Sequence, residues 1–412
     1  LYTMLKIPLI IQLWDISKFF DKENLRDGMN SLYEAGIRGK LYRLWFEMNK
    51  CSIISVKTGV GVSNEKEIGE CIGQGTVGGA LLSSLNLDNG IQKTFNTSHT
   101  EISYSNVRLQ PLIFQVDLAR LCTSVEAAKQ GNKYVEMVTN TKQLDINAEK
   151  STYIMLGNKK IIQEMRDLIK NNPMMINKTI IKEREKEKYL GDYIHNKGTQ
   201  ESIYQTVKNR FWRAMSGILE IKTIVEDCRS QYIGGILIGI DMWELAILPM
   251  LINNSGTWDD INIESITKLN SLQNTLLRYL LQTPITTPSP ALNWDFGVPL
   301  MEFRITIKKL CLAKHILSLD DDALAKQIFH TQLKHNFPGL AKEVKVLINK
   351  YNLPDITKDN INSKLSKERW KSLVKSVIRK ECKSVLIDKI KEKDKLTECD
   401  MINEEFEIKK YI

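Results

Sequence analysis

The sequence predicts an α+β fold in which strands and helices mix in the first half and helices alone make up the second. Two observations carry this. From residue 1 to about residue 197, short β-rich runs alternate with stretches of helical period, whereas from Gln200 onward apolar residues recur almost throughout at three- and four-residue spacing. The chain has 412 residues, 42% apolar and 26% charged, which is enough to bury a sizeable core and to form two or three domains.

In order along the chain, residues 9–14 form an apolar run of strand length, and residues 21–43 read as two amphipathic helices broken at Gly36 and Gly39. Residues 52–62 alternate with β-branched side chains, 77–87 are rich in small residues at helical spacing, and 107–118 are β-rich around a turn-like centre. Residues 125–141 are again helical and 153–156 again extended. Charge becomes dense over 159–188 and ends in the sign-alternating run 182–188, the pattern of a solvated face. Residues 189–194 then have strand character and close in the turn 196–198. Helices are predicted at 203–229, 233–247, 260–282, 300–318 and 366–393, with proline-rich punctuation at 283–290. In the last of these, Trp370, Leu373, Val374, Val377, Ile378, Cys382, Val385, Leu386 and Ile390 fall at three- and four-residue spacing and the lysines from Lys367 to Lys395 crowd the other positions, which suits a phosphate backbone or an ordinary packed surface helix.

The net charge of +9 favours an acidic partner, nucleic acid or an anionic membrane surface. The seven cysteines are odd in number, widely spaced and without a CxxC pair, and Cys311 with His315, His330 and His335 makes a poor zinc signature. Reduced, mostly buried thiols in a cytoplasmic or nuclear, intracellular protein are therefore expected. The best membrane-span candidate, residues 233–252, is interrupted by Asp241 and Glu244, so no membrane partner is expected. The chain opens at Leu1 without the basic flank or cleavage site of a signal peptide, and is expected to be a fragment of a longer protein.

Two carboxylates end apolar runs: Asp15 after residues 9–14, and Asp117 after Pro111-Leu-Ile-Phe-Gln-Val116. Taken singly, an Asp there caps a following helix or punctuates a strand end. Taken together, carboxylates at strand ends are what a phosphoryl-transfer site requires, since oxygen ligands suit magnesium and two cations roughly 4 Å apart activate the attacking hydroxyl and stabilise the leaving group. Their order relative to Ile72-Gly-Gln-Gly-Thr76 and Leu144-Asp-Ile-Asn-Ala-Glu-Lys150 resembles reverse transcriptases of non-long-terminal-repeat retrotransposons, LINE elements among them. The resemblance is specific over residues 11–195 and extends more loosely along nearly the whole chain.

Asp15 with Phe19, Phe20 and Asp21 resembles motif A of that family, whose first Asp ligates metal, and Phe20 matches the aromatic gate that excludes a ribose 2′-hydroxyl. Gly73, Gln74 and Gly75 resemble motif B, whose Gln contacts the incoming nucleotide and whose glycines admit close backbone approach, although Gly78 and Gly79 stand where the family more often has Ser-Pro. Leu144, Asn147 and Lys150 resemble motif D, whose Lys protonates pyrophosphate; Tyr189 and Gly191, in the run ending at Ile194, resemble motif E, the primer grip. The departure lies at residues 114–117, in the place of the aromatic-x-Asp-Asp hairpin of motif C: Val116 stands where the family has its metal-ligating Asp, leaving Asp117 as substitute. A valine methyl cannot coordinate a cation, and a missing ligand costs orders of magnitude in rate.

The resemblance implies a reverse-transcriptase palm at 1–197, a ferredoxin-like antiparallel sheet with helices whose fingers are largely missing. A helical thumb at 198–290 and a helical C-terminal region at 291–412 follow. It implies an RNA-directed DNA polymerase with Mg2+ at Asp15 and Asp117, taking an RNA template, a DNA primer and dNTPs, and impaired at Val116. The alternatives are a catalytically inert nucleic-acid-binding protein that keeps the fold, or a helical scaffold in which Asp15, Gln74 and Asp117 never converge. In the second half, Trp243 and Trp258 sit among apolar residues at helical spacing and are expected to anchor a core. Lys208, Arg210, Arg213 and Lys222 share one predicted helix, as phosphate contacts or as a solvated face.

Overall fold

The computed structural model describes residues 7–50, 52–68, 78–95, 102–109, 111–114, 117–227 and 232–393. The chain divides into two compact units, Leu1–Leu190 with Ile194–Lys197, and Gly191–Tyr193 with Gly198–Ile412.

The first unit is built on strand β1 (Leu9–Ser17), which is buried along nearly its whole length. A left-handed residue, Lys18 at φ 48°, turns the chain into the single turn α1 (Phe19–Lys22), followed by α2 (Leu25–Glu34) and α3 (Gly39–Asn49). The break between α2 and α3 falls at the expected glycines: Gly36 and Gly39 have φ of 94° and 68°, a region side chains resist. Four short strands follow, β2 (Ser52–Ile54), β3 (Lys57–Thr58), β4 (Gly61–Val62) and β5 (Lys66–Ile68), paired β2 with β5 and β3 with β4. Helix α4 (Gly79–Phe95) leads to a hairpin of β6 (Ile102–Tyr104) and β7 (Val107–Leu109), then to β8 (Leu112–Phe114) and β9 (Asp117–Cys122). Helix α5 (Val125–Thr141) matches its predicted span and is capped by Ser124, whose hydroxyl accepts from Ala127 N. After it come β10 (Asp145–Ile146), β11 (Thr152–Leu156), α6 (Lys159–Asn171) and the short strands β12 (Met175–Ile176), β13 (Thr179–Ile180) and β14 (Lys182–Glu183). A last hairpin pairs β15 (Lys186–Tyr189) with β16 (Asp192–His195).

The main sheet has the order β14-β11-β1-β9-β8, with β10 added at the end of β1. The chain order β1, α4, β8, β9, α5, β11 gives the split βαβ pattern of a ferredoxin-like sheet, antiparallel from β11 to β8. Both faces are covered. Ile10, Trp14 and Ile16 of β1 join Leu87 and Ile91 of α4 and Ala128, Val135 and Val138 of α5 in one core, while Leu9, Ile11 and Leu13 pack with Ala119 and Ile154 on the opposite face. This is the period-2 alternation of a strand with two buried sides. Within the first core, Gln12 Nε2 and Trp14 Nε1 both donate to Asn132 Oδ1, at 2.8 and 3.0 Å, fixing α5 over the middle of β1.

The second unit is helical: α7 (Thr199–Asp227), α8 (Tyr232–Met242), a π turn at Trp243–Ile247, α9 (Leu248–Leu251), a 3-10 turn at Ser255–Thr257, α10 (Ile263–Leu280), α11 (Ser289–Asp295), α12 (Met301–Leu317), α13 (Leu324–His335), α14 (Leu340–Lys350), α15 (Asp359–Asn362) and α16 (Lys367–Lys391). The π turn lies just before Pro249, whose ring nitrogen cannot donate to the carbonyl four residues back. Trp243 and Trp258 are core residues, 1% and 3% exposed. The expected boundary at residue 290 does not divide this unit, because Leu292, Phe296, Met301 and Ile305 share a core with α7, α8 and α10. Helices α11, α13 and α14 are not among those the spacing predicts. The first hides in a proline-rich segment, where Pro290 is tolerated because it falls in the first turn.

No helix among the described residues is long and apolar enough to cross a membrane. Among the described cysteines, Cys122 and Cys382 are buried and Cys311 is half-buried, all three free.

Candidate active site

Because side chains alternate along a strand, odd-numbered residues of β1 share one face, and Asp15 follows Leu9, Ile11 and Leu13 there. Asp15 is the register partner of Asp117, the first residue of β9, and Leu13 is the partner of Ala119. The two carboxylates therefore project from one face of the sheet at adjacent strands, where directly opposed Cβ atoms stand about 4.5–5.5 Å apart. Phe114 of β8 is the register partner of Asp117 on its other side.

The turn after β10 is fastened to the backbone of Asp15 on both sides. Asn147 N donates to Asp15 O at 2.8 Å, and Asp15 N donates to Ser151 Oγ at 3.2 Å. The Ser151 hydroxyl in turn donates to Asn147 O at 2.8 Å, so one buried side chain closes both bonds. This brings Lys150, 70% exposed, to 3.9 Å from Asp15 Oδ2.

A cavity of about 350 Å³ opens over the pair, lined by Asp15, Asp117, Glu149, Lys150, Arg184, Glu187, Lys188 and Tyr189 among others. Burial lifts the Asp15 carboxyl above its ordinary range; Lys150 opposes the rise and the charge of Asp117 adds to it. Burial also lifts Asp117. The Tyr189 phenol is pushed up by burial and by the Asp117 charge.

Asp15, Asp117, Lys150 and Tyr189 thus meet in one cavity. Phe20 does not line it: its ring packs edge-on to Phe19 at 5.5 Å, and the half-buried side chain lies between two apolar clusters, because the turn at Lys18 carries the chain into α1. Gln74, Gly75 and Val116 lie outside the described residues. Gly191, at φ 89°, follows Leu190 at φ 49° in a two-residue hairpin turn of the kind that needs positive φ at both positions.

Three further expected contacts lie in the second unit. Lys208 and Arg213 are exposed on α7. Arg210 is not a surface contact. It is 5% exposed, pairs with Asp192, and donates to Asn253 O at 2.6 Å, Leu251 O at 3.3 Å and Gly191 O at 3.2 Å. These acceptors occupy a guanidinium that a phosphate would otherwise need. Sequence reasoning also missed Ser151, and it assigned Arg184, Glu187 and Lys188 to a solvated face; their one available signal was that the charged run feeds directly into Tyr189.

No protein-family model matches the sequence, and no curated protein matches it. Solved structures with which the chain aligns include telomerase from Candida albicans in complex with a TWJ fragment of telomeric RNA, at 10% identity and a TM-score of 0.33, over 75% of this chain and 48% of that one. Telomerase from Candida tropicalis, in complex with the same kind of fragment, aligns at 9% identity and a TM-score of 0.31, over 84% and 50%. The chain spans about half the length of each.

Among the described residues no third His, Cys, Asp or Glu joins Asp15 and Asp117 in a cluster that could hold a metal ion. Two carboxylates repelling one another across adjacent strands nevertheless have the chemistry to share one hard, oxygen-seeking cation.

Proposed function

We propose that this chain is the palm and thumb portion of a reverse-transcriptase-like, RNA-directed DNA polymerase whose carboxylate set is one member short. The observation that carries the reading is the register pairing of Asp15 with Asp117 on one face of a ferredoxin-like sheet, with Lys150 held beside them. It is the arrangement the resemblance requires of motifs A, C and D, reached from residues 102 apart in sequence.

On this reading Asp15 and Asp117 hold one Mg2+, which when bound would polarise the primer hydroxyl and the triphosphate oxygens. Lys150, exposed and next to Asp15, offers its proton to the leaving pyrophosphate. Tyr189 lines the same cavity and borders the primer strand. Val116 supplies no oxygen, so the attacking hydroxyl is poorly positioned and nucleotide addition is slow or absent.

The test is primer extension on an RNA template with Mg2+ or Mn2+, comparing the native chain with V116D and with V116D/D15N. The expected order is little or no extension, a gain, and loss of that gain. Robust extension by the native chain that survives D15N would overturn the site. A second reading is favoured by Val116 itself: the fold binds a primer–template duplex without incorporating nucleotides, in which case binding persists and V116D gains nothing.

A further inference from the structure

Helix α16 buries one row of residues four apart, Trp370, Val374, Ile378, Cys382, Leu386 and Ile390. The adjoining row at the same spacing is Lys367, Lys371, Lys375, Arg379 and Lys383, a cation at every position. Residues four apart stack on one side of a helix, so at about 1.5 Å per residue this row runs for roughly 24 Å. Its first four members are exposed, and Lys383 lies half-buried with Nζ 5.6 Å from the Trp294 ring centroid. The next row outward is Glu368, Ser372, Ser376, Lys380, Ser384 and Asp388, with carboxylates only at its two ends.

Helix α12 extends the same basic surface. The half-buried Cys311 thiol lies within the field of Lys371, Lys375 and Lys308 together, and Lys367 Nζ is 3.2 Å from His315 Nδ1. Lys308, Lys371 and Lys375 form no ion pair among the described residues. Lys375 and Arg379, with Arg304, also line a cleft of about 520 Å³ whose single carboxylate among the described residues, Glu244, is already held by Arg304.

Like charges four apart repel. A polyanion would offset the repulsion. We propose that the cationic row of α16, with Lys308 of α12, is a binding face for double-stranded nucleic acid, held through its phosphates. The face offers cations and hydroxyls, the donors that contact phosphate. It carries no exposed large apolar side chain, since none of those on the surface belongs to α16. Single-strand binding relies on aromatic stacking platforms and membrane binding on an exposed apolar side, and both are missing here. The face lies wholly in the second unit and does not depend on the carboxylate site.

The experiment is fluorescence anisotropy with the full chain and a duplex DNA of roughly 20 base pairs, longer than the row at about 3.4 Å per pair. The native chain is compared with K371Q/K375Q/R379Q and with K342Q/K345Q/K364Q, which removes the same charge from exposed positions off the row. Loss of three phosphate contacts should flatten the slope of log K against log salt by about 2.7 and weaken binding on the order of 10- to 100-fold, while the off-row variant keeps the native slope. Equal losses in both variants, or no loss in the first, would overturn the proposal. So would tighter binding of single-stranded DNA, of phosphatidylserine vesicles or of polyglutamate than of duplex. Circular dichroism checks folding, and if the triple variant is unfolded, K371Q alone should reduce the slope by about 0.9.

Discussion

Asp15 and Asp117 are direct partners across β1 and β9, two carboxylates on one face of one sheet with Lys150 at 3.9 Å from the first. Both are held above the ordinary Asp range, chiefly by burial. A carboxyl whose folded pKa is raised binds its proton more tightly folded than unfolded. Its stabilising contribution is complete below the unfolded Asp value and is lost as pH rises through the folded one. D117N should therefore stabilise the first unit near neutral pH by about 0.2–1 kcal/mol, the size of a cross-strand like-charge contact. At a pH of about 3, below the unperturbed Asp value of about 3.9, the change should vanish. Urea denaturation at the two pH values measures this, and an equal gain at both would mean that charge is not the cause.

A cation placed between the pair would reverse that sign. Titration calorimetry with Mn2+ should show binding that D15N removes, and V116D should tighten it by about tenfold or more, since affinity for hard cations follows the number of charged oxygen ligands. Binding indifferent to D15N would separate the cation from this site.

Ser151 is the side chain that holds the Lys150 turn to β1. In S151A the half-buried Asp15 amide loses this acceptor, and an unmet donor costs up to about 1–3 kcal/mol. Asp15 amide hydrogen exchange should accelerate together with that of Asn147, whose own bond to Asp15 O depends on the same turn. Unchanged exchange at Asn147 would show the two bonds to be independent.

Much of this was legible in the sequence because strands and helices announce themselves by period. The helix over Val125–Thr141 has its predicted bounds because Ser124 is a clear cap and Val125, Ala128, Val135 and Val138 mark one face. The pairing of Asp15 with Asp117 could only be inferred from motif order, since register between strands far apart in sequence is set by tertiary packing. Ser151 and Arg184 carry no local pattern; they matter through what β1 and β11 bring beside them. Arg210 failed for the opposite reason. Its neighbours Lys208 and Arg213 are exposed on α7, and charge alone does not tell a cation facing solvent from one turned inward to four oxygens. Phe20 lies off the carboxylate cavity because a single left-handed residue, Lys18, redirects the chain, and lysine gives no warning of positive φ.

Arg210 supplies the sharpest test of that distinction. Its guanidinium spans Asp192, Gly191 O, Leu251 O and Asn253 O, joining the loop after α9 to the segment 191–193. R210M removes the charge that pairs with Asp192 and the donor to three carbonyls, and breaking such a pair from one side costs about 3–5 kcal/mol. R210K should restore little, because an ammonium cannot span four acceptors held by a planar fork. Asp192 is already lifted by burial, with Arg210 opposing the rise, so in R210M its pKa climbs further. By the same linkage the deficit of R210M should be smaller in mild acid, where Asp192 can be protonated, and grow as pH rises through its folded value. Thermal denaturation across that range measures it, alongside the salt slope for duplex binding. A flattened slope with native stability would return Arg210 to the surface role that its neighbours suggest.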